Sequence, residues 1–207
     1  MEERFTKIYD KSVWGKNWKG KGGSGKGDGT TPDSKWYINL IINFIKKNNI
    51  KTVCDLGCGD WKASRFIPWE ELGVNYTGVD VVQSVVDSNN NEYSSDNVGF
   101  IHCDISNEAF KGYDLVLIKD VLQHFKDEDI LKICDNLILN NSYVISTNGY
   151  KFGRSPEKNN WTNRDINNKY SYHPLDINKE PFDKYIDNVK EIFHRRYKQT
   201  IVFTYSP

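Results

Sequence analysis

Val53-Cys54-Asp55-Leu56-Gly57-Cys58-Gly59-Asp60-Trp61 is the stretch on which the fold turns. A short apolar run ends at Leu56, and a Gly-x-Gly turn follows at once. Glycine lacks the Cβ that holds a ligand away from the main chain, so Gly57 and Gly59 allow a bound molecule to approach closely. Asp55 sets a carboxylate near the C-terminal end of the strand, the end at which α/β sheets bind ligands.

Similar short runs recur outward from this point, at 76–79, 100–101, 115–118 and 143–146. They are mostly apolar, as strands covered on both faces by helices are. Residues 34–47 carry Trp36, Leu40, Ile41, Phe44 and Ile45 at helical spacing, with Asp33 or Ser34 as the expected N-cap. Residues 127–137 repeat the pattern with Ile130, Leu131, Ile133 and Leu137. Strands separated by helices predict a parallel α/β sheet. A helix is expected near 182–194 and a last strand at 200–205. Two segments break the rhythm: the Gly/Lys-rich 11–33, and a long irregular insertion at 148–181. Loops of that length in a compact domain are often functional.

The chain of 207 residues suits one domain, and its six tryptophans supply both core and flat surfaces for stacking. With 28 basic and 28 acidic side chains it has no global basic field, so nucleic acid is not the default partner. The charged start has no apolar segment behind it, and no run reaches membrane-spanning length. A soluble, cytoplasmic protein without membrane contact is expected. Cys54, Cys58 and Cys103 lie in or beside buried strands and Cys134 on a helix face; no further Cys or His pair completes a zinc site, so these read as buried thiols.

Three more elements follow the glycine turn. Tyr76-Thr77-Gly78-Val79-Asp80 ends in an acid 21 positions after Gly59, a spacing suited to a carboxylate accepting from both hydroxyls of a ribose. Phe100-Ile101-His102-Cys103-Asp104-Ile105 sets an acid after the third strand, where it can accept from an adenine amino group. Tyr113-Asp114-Leu115-Val116-Leu117-Ile118-Lys119-Asp120-Val121-Leu122-Gln123-His124-Phe125 is a strand running into a polar cluster. A single Gly-x-Gly also joins strands to helices with no ligand, and Asp55 alone reads equally as a helix cap. Four elements in order carry more weight than any one of them.

Together they resemble the class I S-adenosylmethionine-dependent methyltransferases, over residues 34–147. The resemblance implies a Rossmann-like, seven-stranded, mostly parallel sheet with one antiparallel strand, and S-adenosylmethionine (SAM) as cofactor. By it Asp55, Gly57 and Gly59 would surround the methionine part, Asp80 the ribose and Asp104 the adenine, with Ile105 packed on the ring. Ser24, Trp61, Val81 and Lys119 would complete the cofactor contacts. A nicotinamide dehydrogenase shares the ribose acid but needs a third glycine, and Lys62 stands in that place. Gly20-Lys21-Gly22-Gly23-Ser24-Gly25-Lys26-Gly27 matches seven places of a phosphate-binding P-loop. It fails at Gly27, where a Ser or Thr should hold magnesium, and has neither a strand before it nor a helix after it.

Trp14, Trp18 and Gly23-Ser24-Gly25 resemble a segment that precedes the first helix in some polysaccharide-associated methyltransferases and folds over the cofactor. Residues 1–33 are accordingly read as a cofactor-covering segment, and 34–207 as a single methyltransferase domain with a substrate lid near 148–181. By composition alone a disordered Gly/Lys tail is the other reading of 11–33.

SAM carries an activated methyl carbon, so the protein supplies positioning and relief of an acceptor proton. Asp120 and His124, four residues apart, share a face if Asp120 begins a helical turn, and histidine has the near-neutral pKa a base needs. His124 followed by Phe125 also serves this superfamily as a packing element. Asn163-Arg164-Asp165-Ile166, Tyr172-His173-Pro174-Leu175-Asp176 and Pro181-Phe182 resemble a late element of similar enzymes, in which His173 takes a basic place and would meet the acceptor. Tyr150, Trp161, Tyr170 and Tyr172 offer the lid aromatic faces for sugars or bases, or simply pack it onto the sheet. No carboxylate set for magnesium is evident, and no metal is expected. The favoured activity is O-methylation of a small polar acceptor, a sugar or nucleotide sugar; an RNA-end methyltransferase is the alternative, and a non-catalytic SAM-binding module the third reading.

Overall fold

The helix that leads into the glycine turn begins with two devices written in its sequence. The Thr31 hydroxyl accepts a hydrogen bond from the Ser34 amide at 3.2 Å, and Pro32 takes the first helical position, where a missing N–H costs nothing. The N-cap is therefore Thr31 and neither Asp33 nor Ser34, which lie inside the first turn.

A computed structural model describes residues 1–17, 19–25, 29–150, 175–195 and 198–204. Its elements are α1 (Glu2–Asp10), α2 (Pro32–Asn48), β1 (Thr52–Leu56), β2 (Asn75–Asp80), α3 (Gln83–Tyr93), β3 (Val98–His102), β4 (Leu115–Lys119), α4 (Asp127–Asn140), β5 (Tyr143–Gly149), β6 (Val189–Arg195) and β7 (Lys198–Thr204). The seven strands form one sheet in the order β3-β2-β1-β4-β5-β7-β6. This is the Rossmann-like, mostly parallel architecture expected of the sequence. Trp18, residues 26–28 and most of the expected lid, with Trp161, Tyr170, Tyr172 and His173, lie outside the described residues.

The chain divides into two units, Met1–Glu108 and Ala109–Pro207. In the first, β1 pairs parallel with β2 and β2 with β3. Val53, Cys54, Leu56 and Val79 are wholly buried, as a doubly covered parallel sheet requires. Helix α1 was not evident in the sequence reading, nor was α3. Phe5, Ile8 and Tyr9 of α1 share one face and form a cluster with Val82 and Val85; Trp14 and Val81 pack on it. The described part of 11–33 is thus tied to the unit, with Trp14 at 5.9 Å from the Phe5 ring.

In the second unit β4 pairs parallel with β5, and β7 runs antiparallel to both β5 and β6, so β7 is the reversed strand. The segment expected as a helix near 182–194 is instead a 3-10 turn, Asp183–Asn188, followed by β6. Tyr185, Ile186, Val189 and Ile192 have spacing that fits a helix. Pairing with β7 wins, because β-branched Val189 and Ile192 suit a strand and the pairing satisfies their backbone groups.

Candidate cofactor and acceptor sites

The first unit builds its site around the turn after β1. Gly57 and Gly59 both have positive φ, 72° and 57°. The Gly57 and Cys58 amides donate to the Val79 carbonyl at 2.7 and 3.0 Å, which locks the turn to the end of β2. A Cβ on Gly59 would lie 2.7 Å from Ser24 Cβ, so only glycine fits beneath the amino-terminal segment. Asn89 of α3, almost wholly buried, donates to the Gly59 carbonyl at 2.8 Å.

Asp80 closes β2 beside this turn. Its Oδ2 accepts from the Gly59 amide and its Oδ1 from the Val82 amide, both at 3.0 Å. Burial pushes its carboxyl up to about 6, against the pull of those amide donors. Asp55 is braced inside the protein: Ser64 Oγ and Tyr76 Oη donate to its Oδ2 at 2.7 and 2.8 Å. Trp61, in left-handed conformation (φ 54°), buries its ring against Tyr76, Tyr93 and Phe100 and so supports the turn from below. The Val81 carbonyl accepts from His102 Nε2 at 2.9 Å. Asp104 accepts from the Ser106 amide and hydroxyl at 3.0 and 2.6 Å, and Ile105 is buried next to it. The Cys103 amide donates to the Asp80 carbonyl at 3.0 Å, so Asp104 lies one residue beyond a contact with the end of β2.

The amino-terminal segment reaches the same turn. Ser24 Oγ donates to Asp60, and Lys62 pairs with Asp60 at 3.4 Å while donating to the Gly25 carbonyl at 3.0 Å. Ser24, Gly59, Asp80 and Val81 are therefore gathered in one place. Asp60, Lys62, Asn89 and Tyr9 belong to it too and were missed. The Phe5, Ile8, Tyr9 spacing at i, i+3, i+4 was a readable helix signal for the last of these; nothing local marks Asn89.

The second unit holds the remaining residues. Asp120 has φ 61° and does not begin a helical turn; the turn starts later, as the 3-10 segment Leu122–His124. Asp120 and His124 therefore do not share a helix face. The reversal of the chain at Asp120 is held by its amide on the Thr147 carbonyl at 2.7 Å and by its carboxylate on two ammonium groups. Lys119 donates to it at 2.6 Å, and Lys198 donates to its other oxygen. These two charges hold the Asp120 carboxyl well below the usual carboxylate range, outweighing its partial loss of water. His124 is buried. Gln123 accepts from the Gly149 amide at 2.7 Å, tying this turn to the end of β5. Tyr150 follows, its ring 4.7 Å from that of His194. Among the described residues no group of three His, Cys, Asp or Glu side chains could hold a metal ion, and no helix is long and apolar enough to cross a membrane.

Residues 53–138 match the sequence profile of a methyltransferase domain. No curated protein matches the chain. Among solved structures it is similar to magnesium protoporphyrin IX methyltransferase from Synechocystis PCC 6803 with bound SAH. The TM-score is 0.64 at 16% identity, over 100% of each chain. A SAM-dependent methyltransferase from Clostridium acetobutylicum gives a TM-score of 0.62 at 16% identity, over 84% of this chain and 93% of that one. The methyltransferase domain of bacterial CtHen1 gives 0.60 at 16% identity, over 81% and 97%. At these identities the structures establish the fold. The matched segment lies within that fold, and together they support an enzyme that transfers methyl groups from SAM. The residues present suit that cofactor: the buried Asp80 carboxylate, beside the glycine turn, is held by neutral amide donors.

Proposed function

We propose that the protein methylates a hydroxyl oxygen of a small polar acceptor, a sugar or nucleotide sugar. The observation that carries this reading is the Tyr150–His194 ring pair at the C-terminal end of β5, an aromatic face of the kind on which sugar rings stack. The strand register sets Lys198 opposite Gly149, next to that face.

SAM supplies the methyl group when bound. Its site takes in Gly57 and Gly59 at the turn, Asp80 for the ribose hydroxyls, Asp104 and Ile105 for the adenine, and Val81 and Ser24 at the margins. Asp55 and Trp61 act by bracing the turn, and Lys119 by its hold on Asp120. Residues 1–33 cover the cofactor, and the region near 148–181 covers the acceptor.

His124 is the proton acceptor in this reading. Asp120 is a poor base, because two ammonium groups stabilise its ionised form and leave it little tendency to take a proton. It serves to position Lys119 and Lys198. His173 is assigned to the acceptor side on the sequence resemblance.

The test is mass spectrometry of purified enzyme with SAM and a panel of nucleotide sugars, with RNA as the competing acceptor. A 14 Da gain on a sugar hydroxyl is expected, and His124→Ala should lower turnover by roughly a hundredfold while SAM affinity holds. Methylation of RNA with no nucleotide sugar modified would overturn the acceptor assignment. Equal turnover in His124→Ala would remove the histidine from the chemistry.

A further inference from the structure

Lys119 is the last residue of β4, Lys198 the first of β7 and Arg195 the last of β6. All three stand at the carboxyl end of β4 and β5, the end at which α/β sheets bind ligands. Strand β5 lies between β4 and β7, so the Lys198 side chain crosses it to reach Asp120. Its register partner on β5 is Gly149, which has no side chain to stand in the way. Lys119 takes the other oxygen of the same carboxylate at 2.6 Å. Two hydrogen bonds and one carboxylate separate the ammonium groups, which keeps them within about 8 Å of each other.

Neutralising Asp120 takes one lysine. The second is a further positive charge, brought from 78 residues away onto a residue in left-handed conformation (φ 61°). Strained residues gripped in this way cluster where ligands bind. Arg195 adds an independent observation. It is the register partner of Lys198 in the antiparallel β6–β7 ladder, so both side chains leave the same face of the sheet. Like charges directly opposite destabilise a ladder, and an anion bound between them turns that repulsion into attraction. Phosphate suits such a set, because a guanidinium meets it with two N–H groups and an ammonium meets it as a point charge. Nucleic acid presents its phosphates in a row, to cations strung along a groove. Three cations converging at one end of a sheet suit a compact diphosphate instead.

We propose that Lys119, Lys198 and Arg195 form a binding site for a diphosphate on the acceptor, so that the acceptor is a nucleotide sugar and not a free sugar. This rests on the acceptor reading given above, and Asp120 acts by holding the two ammonium groups in place. The test is calorimetry of wild type, Lys198→Gln and Arg195→Gln with inorganic pyrophosphate, beside methylation assays on nucleotide sugars, the matching free sugars and RNA. Wild type should bind pyrophosphate, and each variant should weaken it roughly tenfold and raise KM for nucleotide sugars by a similar factor. Pyrophosphate that fails to bind wild type, or binds both variants equally well, overturns the site even if nucleotide sugars are methylated. Free sugars methylated as readily as nucleotide sugars overturn it too, and leave the sugar reading intact. Methylation of RNA with no sugar of either kind modified overturns the acceptor reading and this proposal together. Should Lys198→Gln lower the unfolding midpoint by more than about 4 °C, Arg195→Gln, which leaves the Asp120 pairs in place, decides alone. A tenfold loss of pyrophosphate in that variant supports the proposal, and an unchanged affinity overturns it.

Discussion

Asp80 and Asp120 stand at equivalent places in the two units, at the C-terminal ends of β2 and β4, yet their carboxyls shift in opposite directions. Asp80 is met by the Gly59 and Val82 amides, which are neutral donors; loss of water dominates, and its carboxyl rises to about 6. Asp120 is met by Lys119 and Lys198, whose charges outweigh the same loss and hold it far down. A carboxylate left among neutral donors keeps capacity for a ligand's hydroxyls. One already neutralised by lysines instead fixes the position of those lysines. The position after a strand is shared; the partners decide the role.

The strongest way to break this comparison is to delete each acid in turn. Asp80→Ala should weaken SAM by at least about a hundredfold, since a buried charged acceptor of two hydrogen bonds disappears, and calorimetry reads it directly. A loss below about threefold would leave the ribose to some other residue.

Asp120→Ala should act on the fold. Removing the acid leaves Lys119 and Lys198 facing each other, and the variant should lose about 2 kcal/mol of stability in urea at neutral pH. Because the Asp120 carboxyl is lowered on folding, its contribution is present above the ordinary carboxylate range and fades as pH falls through it. Wild-type stability in Asp120→Ala would mean that the lysines find other partners at no cost.

The smallest effect sharpens the contrast by its sign. SAM affinity should fall roughly fourfold between pH 7.5 and 5.5, as Asp80 becomes protonated around 6 and can no longer accept two hydroxyls. Its share of fold stability runs the other way, present below the ordinary value of 3.8 and lost as pH rises through about 6. A flat binding profile over that range would detach Asp80 from the ribose.

Much of the frame was legible in the residues. The end of the first strand at Leu56 agrees to the residue, because an apolar run stopped by a Gly-x-Gly turn admits few other readings. The acids after β2 and β3 were legible for the same reason, since the turn signals locate the strand ends. The helix expected at 182–194 failed because its apolar spacing is compatible with either state, and the choice lay in pairing with a strand that follows it in the chain. Asp120 as the start of a helix failed because the two lysines that grip it are one and 78 residues away, and no local pattern reports the second.

The sequence alone determined the glycine turn, the succession of strands from it as far as β5, and the acids at the strand ends. These follow from short-range chemistry: which residues tolerate positive φ, which bury, and which must stop a strand. Only the tertiary structure decided what those acids do. Whether a carboxylate rises or falls on burial depends on donors brought from distant chain, Gly59 for Asp80 and Lys198 for Asp120. It also decided that Tyr9 and Ser24 meet over Gly59, a convergence of separate segments that depends on the folded path of the chain.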